Sequence, residues 1–132
     1  MMAVDTNVLV RFLVRDDAKQ AEVARRRLKQ AEGKRERLFV PLLVILETIW
    51  VLESAYDKSR SEILDSVQAM RQMPVFDFEA DGAIERFLND GPKYKADLAD
   101  ILIAHSAQAA GCESGITFDK DAAKLPFFSL LE

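Results

Sequence analysis

Five acids in this chain stand where acids are costly, and their places suggest the chemistry they could do. Asp5 ends the apolar run MMAV, and Asp119 ends GITF. Glu47 interrupts the apolar stretch VPLLVILETIWVL, and Asp97 and Asp100 lie among Leu98, Ile101, Leu102 and Ile103. On a helix, the neighbours of Glu47 three and four residues away are Leu43, Val44, Trp50 and Val51. An ionised carboxylate on such a face needs a cationic or hydrogen-bonding partner. Asp97 and Asp100, three apart, share one helix face with side chains about 5–6 Å apart. Carboxylates gathered in one place raise one another's pKa unless a cation meets them. All-oxygen donors select a hard ion, Mg²⁺ or Mn²⁺, over zinc. Such an ion lowers the pKa of a bound water and neutralises charge on phosphoryl oxygens, so the chemistry indicated is cleavage of phosphate esters.

The elements that must carry these acids follow from local signals. MMAVDTN reads as a short buried strand ending at Asp5, and residues 7–14 as a first helix. Asp17 is a plausible N-cap for a second helix, with Ala21, Ala24, Leu28 and Ala31 on its apolar stripe and Gly33 at its end. LFVP, 38–41, is a strand leading directly into the Glu47 helix, which should run to about Tyr56 and be buried. Ser59 or Ser61 can cap a fourth helix with Ile63, Leu64, Val67, Met70 and Met73 inward, and Pro74 stops it. VFDF, 75–78, alternates like a strand. Asp81 or a neighbour begins the next helix, and NDGP, 89–92, is turn punctuation. Lys95 to Ala110 reads as a helix closed by Gly111. SGITFD is a strand, DAAKL a single turn and FFSLL a last strand. Strands that alternate with helices imply a mainly parallel sheet covered on both sides, and residues 1–132 read as one domain. Ligands of such sheets collect outside the carboxyl ends of the strands, where Asp5 and Asp119 fall.

At 132 residues the chain can bury a core without disulfides or a structural metal. Its one cysteine, Cys112, excludes a disulfide framework and fits a reducing cytoplasm. The N-terminus has no basic region followed by an apolar core, and the apolar run from Leu38 to Leu52 is too short for a span of about 20 residues. The net charge of −4 argues against nucleic-acid binding by bulk charge alone. Charge is unevenly spread, however. Arg25, Arg26, Arg27, Lys29, Lys34, Arg35 and Arg37 crowd one segment, and Asp97, Asp100, Asp119 and Asp121 crowd the C-terminal third. Together they suggest a phosphate-tracking surface beside a cation site; alone the basic run reads as a solvated helix face.

Four motifs, in their order and spacing, resemble the PIN domain: MAVDTNVLV, the lone acid in ILETIWVL, DLADILIA and ITFDKD. Within that family they look most like the VapC-type toxins of toxin–antitoxin pairs, over a span from Asp5 to about Leu125. The resemblance implies an α/β fold, a three-layer α/β/α sandwich with a mainly parallel central sheet. It also implies a Mg²⁺- or Mn²⁺-dependent endoribonuclease. Matched motif by motif, Asp5 in DTN, Glu47 in LET, Asp100 in DILIA and Asp119 in TFD would be the catalytic, metal-binding quartet. Thr117 matches a hydroxyl that supports the site, Thr6 and Asn7 match an N-terminal polar pair, and Asp97 and Asp121 would support it. Spacing does not rank Asp97 against Asp100; only the motif favours Asp100. Asp121 is followed by Ala122 where the family often has Phe, a departure that bears on loop geometry and not on the ligands.

Residue types then set the expected mechanism, attack by a water activated on one or two ions, with no histidine required. His105 falls about 140° round from Asp100 at helical spacing and reads as structural. Substrate contacts are expected from Arg11, Arg15, Lys93, Lys95 and Lys120, which flank the acidic motifs. Trp50, Leu46, Tyr56, Phe87 and the FFSLL tail supply more large apolar groups than one small core obviously needs. The resemblance implies an RNA substrate, a homodimer and a cognate VapB-type antitoxin held partly by the first helices. A rival receiver-type signalling module would need an acidic pair after the first strand and a late lysine. The first strand offers only Asp5 and Thr6. A haloacid-dehalogenase-type phosphatase needs a second aspartate where Asn7 stands. A catalytically silent PIN-like module that binds RNA or a protein is the remaining alternative.

Overall fold

A computed structural model describes residues 1–132 as two units, 1–79 and 80–132. The first holds β1 (Met2–Ala3), α1 (Thr6–Val14), α2 (Ala18–Gly33), β2 (Leu38–Val40), α3 (Leu42–Ser54), α4 (Arg60–Arg71) and β3 (Phe76–Phe78). Its strands form a parallel sheet in the order β1-β2-β3, with Met2 opposite Leu38 and Leu38 opposite Phe76. Alternation decides which side chains go inward. Leu38, Val40, Phe76 and Phe78 are buried, while Phe39 and Asp77 between them are half-buried. Leu9, Ile45, Ile49, Leu52, Ile63, Val67 and Met70 complete this unit's core.

The helix signals act locally as expected. Asp17 accepts a hydrogen bond from the Gln20 N–H at 3.0 Å. Ser59 and Glu62 form a reciprocal capping box at the start of α4. Pro41 occupies the N-cap of α3 and has no side-chain bond to offer. Glu79, just beyond β3, supplies it instead, accepting from the Leu42 N–H at 2.8 Å. A carboxylate at a helix N-terminus also meets the positive end of the macrodipole.

The second unit holds α5 (Asp81–Asp90), α6 (Leu98–Ala109), β4 (Gly115–Thr117), a 3₁₀ turn (Ala122–Lys124) and β5 (Phe128–Leu130). β4 and β5 pair in parallel, Gly115 opposite Phe128. Every strand pairing in the protein is therefore parallel, the mixed α/β architecture the alternating elements imply. Helix α6 begins three residues later than its apolar pattern suggests. Asp97 has the extended backbone of an N-cap (φ −54°, ψ 141°), so the Lys95–Asp97 stretch stays outside the helix. Gly111, at φ 99°, takes the left-handed geometry that closes α6 at low steric cost. Phe87 is fully buried, as is Phe127 nearly so; both belong to the core and not to a surface patch. Burying a side chain such as Phe87 is worth about 1.5–3 kcal/mol.

Candidate active site

Glu47 does not lie against grease. The stripe of α3 that packs inward is Ile45, Thr48, Ile49 and Leu52, one turn apart in pairs. Glu47 faces outward with Leu43 and Trp50, which are 77% and 66% exposed. A helix apolar on every side cannot bury every side, and the charge sits on the face left over. The partner Glu47 acquires is a hydroxyl: Thr6, buried in the first turn of α1, donates to Glu47 Oε1. Asp5, one residue earlier, is the N-cap of α1 and accepts from the Val8 N–H at 3.0 Å through Oδ1. This cap fixes the carboxylate and leaves Oδ2 without a role in the helix. DTN thus brings Asp5 and the Thr6–Glu47 pair to one end of α1. A cavity of about 630 Å³ opens beside it, lined by Asp5, exposed Asn7, Val8, Val23 and Arg27 among others.

The second unit carries the other acids. Asp97, the N-cap of α6, makes no capping bond with its exposed side chain. Asp100 stands half-buried in the first turn. Burial pushes its carboxyl above the ordinary range, with further upward pushes from Asp97 and then Asp119. Asp119, after β4, accepts from the Ala122 N–H at 2.8 Å through Oδ1, and its own N–H donates to Thr117 Oγ1 at 3.0 Å. Thr117 therefore orders the backbone on which Asp119 stands. Asp121 is exposed and 3.6 Å from Lys124, a weak surface ion pair. Both ring nitrogens of His105 are engaged, with Asp90 at 2.7 Å and Gln108 at 3.0 Å, which ties α6 to α5.

By type the carboxylate donors suit a hard divalent ion and not zinc, but as arranged they do not form a site for one. The charges of Asp97 and Asp119 push the Asp100 carboxyl upward after burial does, a repulsion that a cation would relieve. No three acid, histidine or cysteine side chains are arranged so that they could hold an ion together. The two facts agree physically, because charge repulsion acts over many ångströms while ligation requires about 2–2.6 Å.

Of the flanking cations, Arg15, Lys93, Lys95 and Lys120 are exposed. Arg11 is committed inside the protein to Gln20, Asp16 and Tyr56. The basic segment is partly spent as well: Arg25 and Arg26 pair with Glu22, Arg27 with Glu36, and Arg37 with Asp77. This favours a solvated helix face over a phosphate track. The residues that sequence reasoning passed over are Asp16, Gln20 and Glu79, and Tyr56 figured there only as a large apolar group at a helix end. Only Gln20 and Asp16 lie near their partner Arg11 in sequence, and nothing in their spacing marks the contact. No helix is long and apolar enough to cross a membrane.

Comparison with known proteins adds to this geometry. Over 127 residues the chain is 28% identical to a VapC ribonuclease of Aquifex aeolicus (strain VF5), covering 96% of this chain and 93% of that relative. No solved structure matches the chain significantly. The sequence model of the PIN domain matches residues 2–128, nearly the full length, and the chain belongs to the PIN domain family.

Proposed function

We propose that this protein is a divalent-metal-dependent endoribonuclease and the toxin of a VapBC-type toxin–antitoxin pair. The observation that carries the reading is the PIN domain match across residues 2–128, with Asp5 capping α1, Asp100 in the first turn of α6 and Asp119 after β4. The likeness to a VapC ribonuclease over 96% of the chain supports it. The single family match across residues 2–128 supports treating the two units as one functional domain.

Asp5, Glu47, Asp100 and Asp119 would hold Mg²⁺ or Mn²⁺. When bound, the ion supplies an activated water and neutralises charge on the phosphoryl oxygens. The remaining work belongs to the chain's own groups. The Val8 N–H holds Oδ1 of Asp5, the Thr6 hydroxyl orients Glu47, and the Ala122 N–H and Thr117 hold Asp119 and its backbone. Asp97 adds negative charge beside Asp100, and exposed Asn7 can donate to a phosphate oxygen. Arg15, Lys93, Lys95 and Lys120 are the exposed cations for the RNA backbone.

The cavity beside α1 and α2 would receive a segment of the cognate antitoxin. The outward α3 face of Leu43 and Trp50 would form a homodimer contact, which sedimentation at micromolar concentration tests. A reducing cytoplasm suits the exposed, unpaired Cys112. The decisive experiment is RNA cleavage with Mg²⁺ or Mn²⁺ against EDTA, wild type beside Asp5→Asn and Asp100→Asn. Cleavage is expected only in wild type with metal. Cleavage that survives chelation refutes the mechanism.

A further inference from the structure

Arg11 is spent within the protein, and the way it is spent bears on the acidic residues. It lies in the second half of α1, five residues after Thr6. Its Nε donates to Gln20 Oε1 at 2.7 Å, and its Nη1 donates to Asp16 Oδ1 and to the Tyr56 hydroxyl, each at 3.0 Å. Tyr56 closes the ring by donating to Asp16 Oδ2 at 2.7 Å. The hydroxyl thus accepts from the guanidinium and donates to the carboxylate, an arrangement in which each bond polarises the next. We propose that Arg11, Asp16 and Tyr56 form a positioning device that sets α1, with Asp5 and Thr6 at its start, against Glu47 on α3.

Two observations support the assignment independently of the bonds themselves. The first is where the three residues stand. Tyr56 follows α3 immediately after its C-cap, Ala55, and Asp16 lies in the turn between α1 and α2. Two side-chain hydrogen bonds therefore tie α1 to α3 and to the residue just past its C-cap, Thr6–Glu47 and Arg11–Tyr56. The attachments on α1 are five residues apart, about 7–8 Å along its axis. Added to the packing of α1 on α3, two polar contacts separated in this way constrain rotation of α1 as well as distance.

The second observation is the backbone on either side. Arg15, next to Asp16, is at φ 61°, and Asp57, next to Tyr56, is at φ 51°. Side chains other than glycine rarely take this left-handed geometry, and it persists where surrounding contacts over-determine it. Here the turn at Arg15 returns Asp16 to Arg11, whose carbonyl accepts the Arg15 N–H at 3.3 Å. The left-handed cap that ends α1 thereby sets Asp16 beside Arg11.

The bearing of this device on catalysis rests on the ribonuclease reading; its bearing on the Thr6–Glu47 contact does not. The test is Tyr56→Phe, which keeps the ring and deletes the hydroxyl, with Arg11→Lys as a second variant that keeps the charge and loses the fork. In each background, and in wild type, urea unfolding of Thr6→Val, Glu47→Gln and the double variant gives the Thr6–Glu47 coupling. Coupling of about fivefold in the unfolding constant is expected in wild type. It should fall below about twofold in Tyr56→Phe and Arg11→Lys. RNA cleavage should lose kcat on the order of tenfold, with KM changed by no more than about twofold. A role in stability alone would lower the unfolding midpoint while coupling and kcat stay at wild-type values, and that result overturns the proposal. Absence of coupling in wild type also overturns it. Coupling that is present and lost on Tyr56→Phe, in a wild-type chain that cleaves no RNA, would support the device while refuting the ribonuclease reading.

Discussion

Gly115→Ala tests how tightly the strand that leads to Asp119 is held. A Cβ at this position would stand 2.6 Å from Cε2 of Phe127 and 3.0 and 3.1 Å from Cε1 and Cδ1 of Phe128. Carbon atoms prefer about 3.5–4.0 Å, so the Phe127 ring would have to retreat by roughly 1 Å. It has little room, being 7% exposed and packed edge-to-face on Phe128 with centroids 5.1 Å apart. Opposing terms decide the sign. Gly115 is not among the positive-φ residues, so alanine suits its backbone and would by itself stabilise by about 0.4–1 kcal/mol through the unfolded chain. Overpacking a filled site costs about 1–3 kcal/mol. The net expectation is a loss of about 1–2 kcal/mol, or a Tm lower by roughly 3–8 °C in a chain of this size. Thermal and urea unfolding in EDTA measure it directly. Phe127→Leu in the same chain should recover part of the loss, because it removes the obstructing ring edge. A Tm equal to or above wild type would refute the steric argument. It would also mean that β4 and β5 are not held in the described register.

Asp100→Asn should raise the Tm of the metal-free protein at neutral pH. The carboxyl of Asp100 is pushed above its ordinary range by burial, Asp97 and Asp119, so its ionised form weighs against folding. That penalty acts in full above the raised pKa and disappears as pH falls below the ordinary aspartate range, so the gain should vanish in acid. A gain that persists unchanged at low pH would point to another cause. Ser59→Ala removes the N-cap of α4 and should cost about 1 kcal/mol, read as a shift of the urea midpoint at unchanged m-value. Lys95→Glu and Lys120→Glu should weaken RNA binding most in low salt, each lowering the salt slope by about one. Equal weakening at all salt concentrations would remove these residues from the phosphate contacts.

Much of the fold was legible because its punctuation is local. Asp17, Ser59, Pro74 and Gly111 each act through bonds within four residues or through their own backbone, so the sequence displays the whole interaction. The start of α6 was less legible. Its apolar pattern extends back past Asp97, and only the backbone geometry there ends the helix. At the N-terminus the sequence placed Asp5 at a strand end and began the helix at residue 7; Asp5 caps a helix that opens one residue earlier, at Thr6.

The environment of Glu47 was not readable. An all-apolar run says that a helix is buried somewhere, not which stripe goes inward, and Glu47 lies on the stripe that did not. Its Thr6 partner is 41 residues away, the Glu79 cap of α3 is 37 away, and Arg11 and Tyr56 are 45 apart. By itself the sequence determined the elements, their parallel α/β order and the acids at their ends. Tertiary structure alone decided which carboxylates acquire partners, which cations are spent internally and which helix faces stay open. Contacts of that range depend on how the core packs, and no pattern within a few residues encodes them.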